Sequence, residues 1–397
     1  MPSSEPTQEP ARPPRYRGPV LLRGGFRLFF PAAALFAALA AVSWLALLAA
    51  GWTLPSPLAA PVWHGHEMLF GYVAAVIAGF LLTAIPNWTG RLPVAGAPLA
   101  ALVALWFAGR IAMFAGASWP VAAAVVDAAF LLVLAGLAWR EVVAGANIRN
   151  APICLIISVI ALGNAGWHWA VLTDGDAGLF ARAALAAVAL LIALIGGRVT
   201  SSFTRNWMVK AGHATLPSAF GGFDKLALLG ALAALVVWVA LPEDAITGVL
   251  FGLAAALHAA RLVRWRGWRT TAEPLVLILH LGYAWLPVWF ALSGLSILTG
   301  APDASSALHA LTAGAAGTMT LAVMSRAMLG HTGRALTAGP ATVAAYGLVI
   351  AGAALRVMAP FLPVDTMVVI TIAGLSWSTG FVVFFAVYGP MGWRDSA

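Results

Sequence analysis

Long apolar runs separated by short polar segments recur along the whole chain. Each run approaches the ~20 residues that an α-helix needs to cross a hydrocarbon core of ~30 Å. Runs of this length are predicted to be helices, because a helix satisfies its backbone hydrogen bonds internally in lipid. The predicted spans are 29–50, 64–86, 97–115, 118–139, 151–172, 179–200, 223–241, 245–265, 274–298, 305–328, 340–358 and 364–388.

The segments between these runs alternate in charge. One set carries Arg or Lys, as at Arg91, Arg140 and Arg266, whereas the other set carries Asp or Glu and neither Arg nor Lys. Positively charged loops favour the cytoplasmic side of a membrane, and a miscounted helix would mix the two sets. The alternation therefore predicts an all-α integral membrane protein with about twelve transmembrane helices and both termini in the cytoplasm.

The composition agrees with this class. Hydrophobic residues make up 62% of the 397 residues and charged residues 9%, whereas soluble domains have about 25% charged residues. So few charges cannot cover a water-facing surface, and the lipid bilayer is the expected environment. The single cysteine, Cys154, excludes an intramolecular disulfide and a site with two or more thiolates. A metal bound to this chain therefore requires His, Met or carboxylate ligands.

The predicted domain organisation is simple. Residues 1–25 are polar and rich in Pro and Arg, which predicts a disordered cytoplasmic tail before a single twelve-helix domain over residues 26–397. The longest predicted loop is 201–222. Six spans in each half would permit an internal repeat, but the two halves show no convincing sequence similarity. Basic residues are spread over many loops, which argues against nucleic acid as a partner, and the oligomeric state stays open.

Four histidines lie at a similar shallow depth on the predicted outer side: His64, His66, His168 and His309. A buried imidazole loses hydration and needs a partner, either a metal or another polar group. Haem or metal ligation is one interpretation, and interhelical hydrogen bonding is the other. Residues two apart on a helix point about 200° apart. His64 and His66 therefore cannot easily bind one metal from a regular helix, which leaves two interpretations: they serve two neighbouring centres, or one of them only orients a ligand.

Three further histidines form a second layer on the predicted inner side. His258 lies in the eighth span, His280 lies in the ninth, and His331 directly follows the tenth. Imidazole suits both haem iron and copper, so this layer is predicted to hold a second centre, copper or haem. The alternative is again a set of structural hydrogen bonds.

Three arginines depart from the alternation of loop charges. Arg110, Arg182 and Arg356 each lie in an apolar run near its predicted outer end, where a charge needs compensation. One interpretation pairs them with the nearest acidic residues along the chain. The other pairs them with haem propionates, because a guanidinium binds a carboxylate through two parallel hydrogen bonds. The acidic candidates are Asp127, Asp174, Asp176 and Asp365.

Two carboxylates lie close to the outer histidine layer. Glu67 directly follows His66 and is interpreted as a proton carrier or as a group that orients an imidazole. Asp127, in the fourth span, is a second candidate for proton transfer.

The chain resembles the NnrS family of bacterial inner-membrane proteins from roughly residue 26 to residue 390. The resemblance lies in WHGHEMLFGYVAAVIAGFLLTAIPNWTGR, GNAGWHWAVL, GGRVTSSFTRNW, HLGYAWLP and HALTAGAAGTMTLAVMSRAMLGHTGR. It implies a twelve-helix protein of the nitric oxide response that carries haem b and copper. The histidines within its motifs are His64, His66, His168, His280, His309 and His331. The resemblance does not divide them between haem and copper.

These observations together predict a membrane haem–copper protein that binds nitric oxide and reduces it to N2O with electrons from an unidentified donor. Two other functions stay open at this point. The first is a sensor of nitric oxide stress or a transporter of haem, metal or a small molecule, since twelve helices with buried polar groups are common in transporters. The second is a structural role beside respiratory complexes.

Overall fold

The computed structural model describes residues 16–395, which form helices and no β-strand. Twelve of these helices are long and apolar enough to cross a membrane, so the predicted class and the predicted number of spans are confirmed. The helices are α1 Gly25–Ala49, α2 Ala60–Thr89, α3 Ala97–Ala115, α4 Pro120–Ala144, α5 Ile148–Leu172, α6 Ala177–Lys210, α7 Gly222–Ala240, α8 Ala245–Arg269, α9 Pro274–Thr299, α10 Ala304–His331, α11 Pro340–Phe361 and α12 Thr366–Trp393.

Two predicted boundaries differ from the structure. Helix α6 continues to Lys210, so the predicted loop 201–222 is helical over its first half. Thr200, Thr204 and Met208 are buried there at a spacing of four residues, which places them on one helix face. Of the predicted tail, residues 1–15 lie outside the described residues, and α1 begins at Gly25.

Four of the acidic loop residues have a structural role as helix caps. Their side chains accept hydrogen bonds from backbone N–H groups at the starts of α6, α8, α10 and α12, which all begin on the predicted outer side. Such caps satisfy donors that the helix leaves unpaired and place a negative charge at the positive end of the helix dipole. The capping residues are Asp176, Asp244, Asp303 and Asp365.

The twelve helices are arranged as three consecutive units of four. Helix α4 packs on α5, α8 packs on α9, and α12 packs on α1, so that the units form a closed ring. Helix α10 contacts both α2 and α6 between the units. The second helices of the first and third units are the most enclosed, with 78% of the most apolar stretch of α2 and 67% of that of α10 buried. The repeat thus has four helices rather than six.

The second helix of each unit contains a π-helical segment. A π-helical turn holds one more residue than an α-helical turn and often occurs at functional sites. Each of the three segments has glycine as its fifth residue. The segments are Glu67–Val73 in α2, Ile192–Gly196 in α6 and Ala310–Ala316 in α10.

Helices α2 and α10 also correspond residue by residue. The same number of residues separates His66 from His309, and each histidine directly precedes its π-helical segment. The same separation relates the sequence Thr-Gly-Arg at 89–91 to Thr-Gly-Arg at 332–334. Gly90 and Gly333 end the two helices with φ of 69° and 73°, a conformation that favours glycine. These helices are therefore equivalent elements of the first and third units.

Candidate metal centre

Six buried polar side chains meet where α2, α3 and α4 of the first unit come together with α5 of the second. They lie near the predicted outer ends of the helices, and we call them the His66 cluster. Each is at least nine-tenths buried, so each requires a polar partner within the protein. The members are His66, Glu67, Arg110, Asp127, Asn164 and His168.

Electron-rich atoms converge beside one ring nitrogen of His66. His66 Nδ1 donates to Glu67 Oε1 at 2.9 Å, which leaves Nε2 as a lone-pair atom in the neutral ring. That Nε2 lies 3.0 Å from Asn164 Oδ1, 3.2 Å from His168 Nε2 and 3.2 Å from Asp127 Oδ2. Oxygen and nitrogen lone pairs repel one another at such distances. A proton or a metal cation is therefore needed at the point where they meet.

The spacing of these atoms matches the ligands of a transition metal. The two histidine Nε2 atoms and Asp127 Oδ2 are 2.8 to 3.2 Å apart. Tetrahedral bonds of about 2.0 Å place ligand atoms about 3.3 Å apart. Among the described residues, His66, Asp127 and His168 are the group of three whose ligand atoms lie close enough to hold one metal ion. Two imidazoles and one carboxylate suit copper, iron or zinc.

Glu67 and Arg110 hold the candidate ligands in place. Glu67 accepts the Nδ1–H of His66, as a carboxylate does behind a metal-bound imidazole. Arg110 donates to both Glu67 Oε1 and Asp127 Oδ1. The arginine therefore has carboxylate partners within the protein, the first of the two interpretations that the sequence offered. Glu67 occupies the predicted orienting position.

Small and aromatic residues enclose the His66 cluster. A Cβ at Gly71 would lie 2.7 Å from Arg110 Nη1 and equally close to the Phe36 ring. The Gly71 carbonyl accepts from Trp106 Nε1 at 3.0 Å, and the Trp167 ring stands edge-on to His66. Glycine at the fifth position of this π-helical segment thus leaves the space that the guanidinium occupies.

His64 points to a different part of the molecule, which we call the His309 group. It lies between α1, α2, α10 and α11, and its members are His64, Ser305, Ser306, His309 and Arg356. The His64 ring stacks on Trp44 with centroids 4.8 Å apart, and its buried Nδ1 has no hydrogen-bond partner. His309 and Arg356 both lie within electrostatic range of His64. The two histidines of α2 are therefore divided between two sites.

Hydroxyl and carbonyl groups hold the rest of the His309 group. His309 Nδ1 donates to the Ser305 carbonyl at 2.7 Å. Arg356 donates to Ser305 Oγ at 2.8 Å and to Ser306 Oγ at 3.3 Å. Arg182, the third arginine singled out in the sequence, lies elsewhere and faces Asp176 at 3.7 Å.

The three predicted inner histidines are not brought together. His258 donates from Nε2 to the Ala227 carbonyl and accepts from the Tyr283 hydroxyl at 2.7 Å. His280 Nε2 lies 2.7 Å from Thr204 Oγ1. His331 is exposed and packs its ring on Phe26. Hydrogen bonds thus satisfy both ring nitrogens of His258, whereas Nδ1 of His280 is buried without a partner.

Two further buried polar groups were not predicted from the sequence. Asn164 donates from Nδ2 to Asp127 Oδ2 at 2.9 Å and belongs to the His66 cluster. It lies one helical turn before His168, a spacing that places both on one face. Arg261 forms a buried ion pair with Asp224 and donates to the Ala193 carbonyl in the π-helical segment of α6. Nothing in the local sequence distinguishes that arginine from the loop arginines beside it.

The fold and the His66 cluster define a multi-pass membrane protein with a buried set of metal-ligating side chains. The family model described as NnrS protein matches residues 20–395. The chain therefore belongs to the NnrS family, as its motifs indicated, and this membership indicates a membrane protein of the nitric oxide response. A comparison with curated proteins gave no match.

Proposed function

We propose that this protein binds nitric oxide at a haem–copper site in the bacterial cytoplasmic membrane and reduces it to N2O. The observation that carries the proposal is the His66 cluster, in which two imidazoles and a carboxylate converge at metal-ligand spacing. Membership of the NnrS family supplies the link to nitric oxide. The reaction converts two NO, two electrons and two protons into N2O and water, with the electrons taken from an external donor.

The His66 cluster fits copper. His66 and His168 would supply imidazole nitrogens and Asp127 a carboxylate oxygen, and the Asn164 carbonyl lies close enough to join them. Bound copper would supply a one-electron redox centre and a Lewis acid for NO. The candidate ligand atoms of the His66 cluster converge on one point, and this leaves no place between them for a porphyrin ring. Haem would therefore need ligands outside this cluster.

The surrounding side chains would prepare this site for chemistry. Glu67 fixes the tautomer of His66 so that Nε2 presents its lone pair, and Arg110 holds Asp127 through its other oxygen. Phe70 and Trp167 keep water from the His66 ring. Asp127 is better placed as a ligand than as a proton carrier. Proton transfer by Glu67 stays a prediction.

The test uses full-length protein purified in detergent. Copper and haem content, the reduced absorbance spectrum and NO consumption with an artificial electron donor are measured together. We expect the wild type to form N2O, His168→Ala to lose copper and turnover, and the control His331→Ala to retain both. Wild-type protein that holds copper and haem but consumes no NO would favour the sensor or transporter. Copper retained in both variants would contradict the His66 cluster as its site.

A further inference from the structure

The first and third units place equivalent residues at their outer ends, but their charges differ. His309 corresponds to His66, and each precedes a π-helical segment. The third helix of each unit also carries one arginine within its apolar run, Arg110 in α3 and Arg356 in α11. Each arginine lies next to the histidine-bearing helix of its own unit.

The carboxylates of the first unit have no counterparts in the third. Ala310 occupies the position that corresponds to Glu67. Helix α4 supplies Asp127, whereas α12 contains no acidic residue. Arg356 is therefore held by serine hydroxyls, and within the described residues it has no carboxylate within 4.0 Å. A guanidinium among apolar helices without a counter-ion is costly, so a bound anion would stabilise it.

Asp303 is the acidic residue within electrostatic range of Arg356. Its Oδ1 accepts from the Ser306 backbone N–H at 2.9 Å and caps α10. That carboxylate is directed to the helix start, and it forms no ion pair with the guanidinium. Among the described residues, Arg356 therefore lacks a directly paired carboxylate, and an anion bound from outside the chain would supply one.

The two imidazoles beside Arg356 are arranged as ligands. His309 donates from Nδ1 to a backbone carbonyl, the usual arrangement behind a metal-bound histidine, and this leaves Nε2 with its lone pair. His64 Nδ1 is buried without a partner. His64 Nδ1 and His309 Nε2 are therefore the two ring nitrogens available to a ligand.

His64, His309 and Arg356 lie within electrostatic range of one another, so one ligand with both a metal and anionic groups would satisfy all three. A bare metal cation would be repelled by Arg356, and a simple anion would leave both imidazoles without a partner. A metal complex that carries its own carboxylates meets both demands. An iron porphyrin has this chemistry, since its iron accepts axial imidazoles and its propionates accept hydrogen bonds from arginine.

We propose that the His309 group binds haem, with His64 and His309 as axial ligands of the iron and Arg356 paired with a propionate. The inference rests on the proposed function for the presence of haem, and on the structure for its place. Helix α2 would then carry a ligand of each centre. His66 would bind copper, and His64, two residues earlier, would bind the haem iron.

The test compares haem and copper in the same purified variants. His309→Gly is expected to lose the low-spin absorbance and EPR signature of bis-imidazole haem while keeping copper, and added imidazole is expected to restore that signature. His168→Ala is expected to show the opposite loss. Arg356→Gln is expected to keep the ligation spectrum but to release haem to apomyoglobin about tenfold faster. Arg356→Lys is expected to release it at an intermediate rate.

An unchanged haem spectrum in His309→Gly, with a normal gel-filtration profile, would overturn the inference, and so would wild-type protein that contains no haem. The haem site and the proposed reductase activity can each fail without the other. Haem lost from His309→Gly in a protein whose wild type consumes no NO would support this site and contradict the reductase. NO consumption by wild type with an unchanged His309→Gly spectrum would do the reverse.

Discussion

The first and third four-helix units share one backbone motif but differ in the charged groups around it. Both have a histidine before a π-helical segment and an arginine on the next helix. In the first unit, Glu67 and Asp127 neutralise Arg110 within the protein. In the third unit, Arg356 donates to serine hydroxyls and has no carboxylate within 4.0 Å among the described residues.

The comparison shows that charge, rather than the backbone, separates the two ligand classes. A site that contains its own carboxylates can accept a bare cation, because the anionic ligands are already present. A site with a surplus guanidinium requires a ligand that carries anions. Substitutions at Asp127, Glu67, Gly71 and Ala310 would test this difference, with expected effects that decrease in that order.

Replacing Asp127 should break the first site most severely. Asp127→Ala removes a proposed ligand and leaves Arg110 with Glu67 alone, and breaking a buried ion pair costs about 3–5 kcal/mol. We expect loss of copper and a lower midpoint of thermal unfolding in detergent. The control is Asp395→Ala at the exposed pair with Arg23, where about 0–1 kcal/mol is expected. Equal, small changes in both variants would contradict the buried role of Asp127.

Glu67 should tune copper rather than bind it. Glu67→Ala removes the acceptor behind His66 Nδ1, and losing such a partner typically weakens metal binding about 10- to 100-fold. Competition with a copper chelator measures the change, and Glu67→Gln, which keeps an acceptor oxygen, should be affected less. The haem spectrum should stay the same in both variants. Haem loss in Glu67→Gln would mean that the two sites are not separate.

The absence of a side chain at Gly71 should be required for the Arg110 guanidinium to fit beside the copper site. Gly71→Ala places a methyl group 2.7 Å from Arg110 Nη1, and crowding of this kind costs about 1–3 kcal/mol. We expect lower copper occupancy and lower thermal stability. Gly136→Ala on α4 is the matched control, because its Cβ would meet nothing within 4 Å. Destabilisation by Gly136→Ala of the same size would show a general effect of helix glycines.

Adding the missing carboxylate to the third unit should make it resemble the first. Ala310→Glu places an acid at the position equivalent to Glu67, where it would compete with a propionate for Arg356. We expect haem affinity to fall about tenfold, or about 1.4 kcal/mol. Ala310→Gln has the same size without the charge and should lose less affinity. If both variants bind haem equally weakly, size rather than charge explains the loss.

Predicted depth in the membrane grouped the histidines of the candidate sites on the outer side, but it did not identify a common site on the inner side. The outer layer contains the members of both candidate sites, and the division of His64 from His66 follows from the angle between residues two apart. The inner layer grouped three histidines on one side of the membrane, yet His258 bonds to Tyr283 and His280 bonds to Thr204 in separate places. Depth places residues in a plane, and it does not place them on facing sides of neighbouring helices.

The sequence by itself determined the helical membrane class and the twelve spans, because the length of an apolar run is a local property. The family motifs were likewise readable from the chain alone. Only the tertiary structure joined α2, α4 and α5 at His66, Asp127 and Asn164. Only it showed that Arg110 pairs with two carboxylates, whereas Arg356 pairs with none within 4.0 Å among the described residues. Those contacts connect residues far apart in sequence, and helix packing decides them.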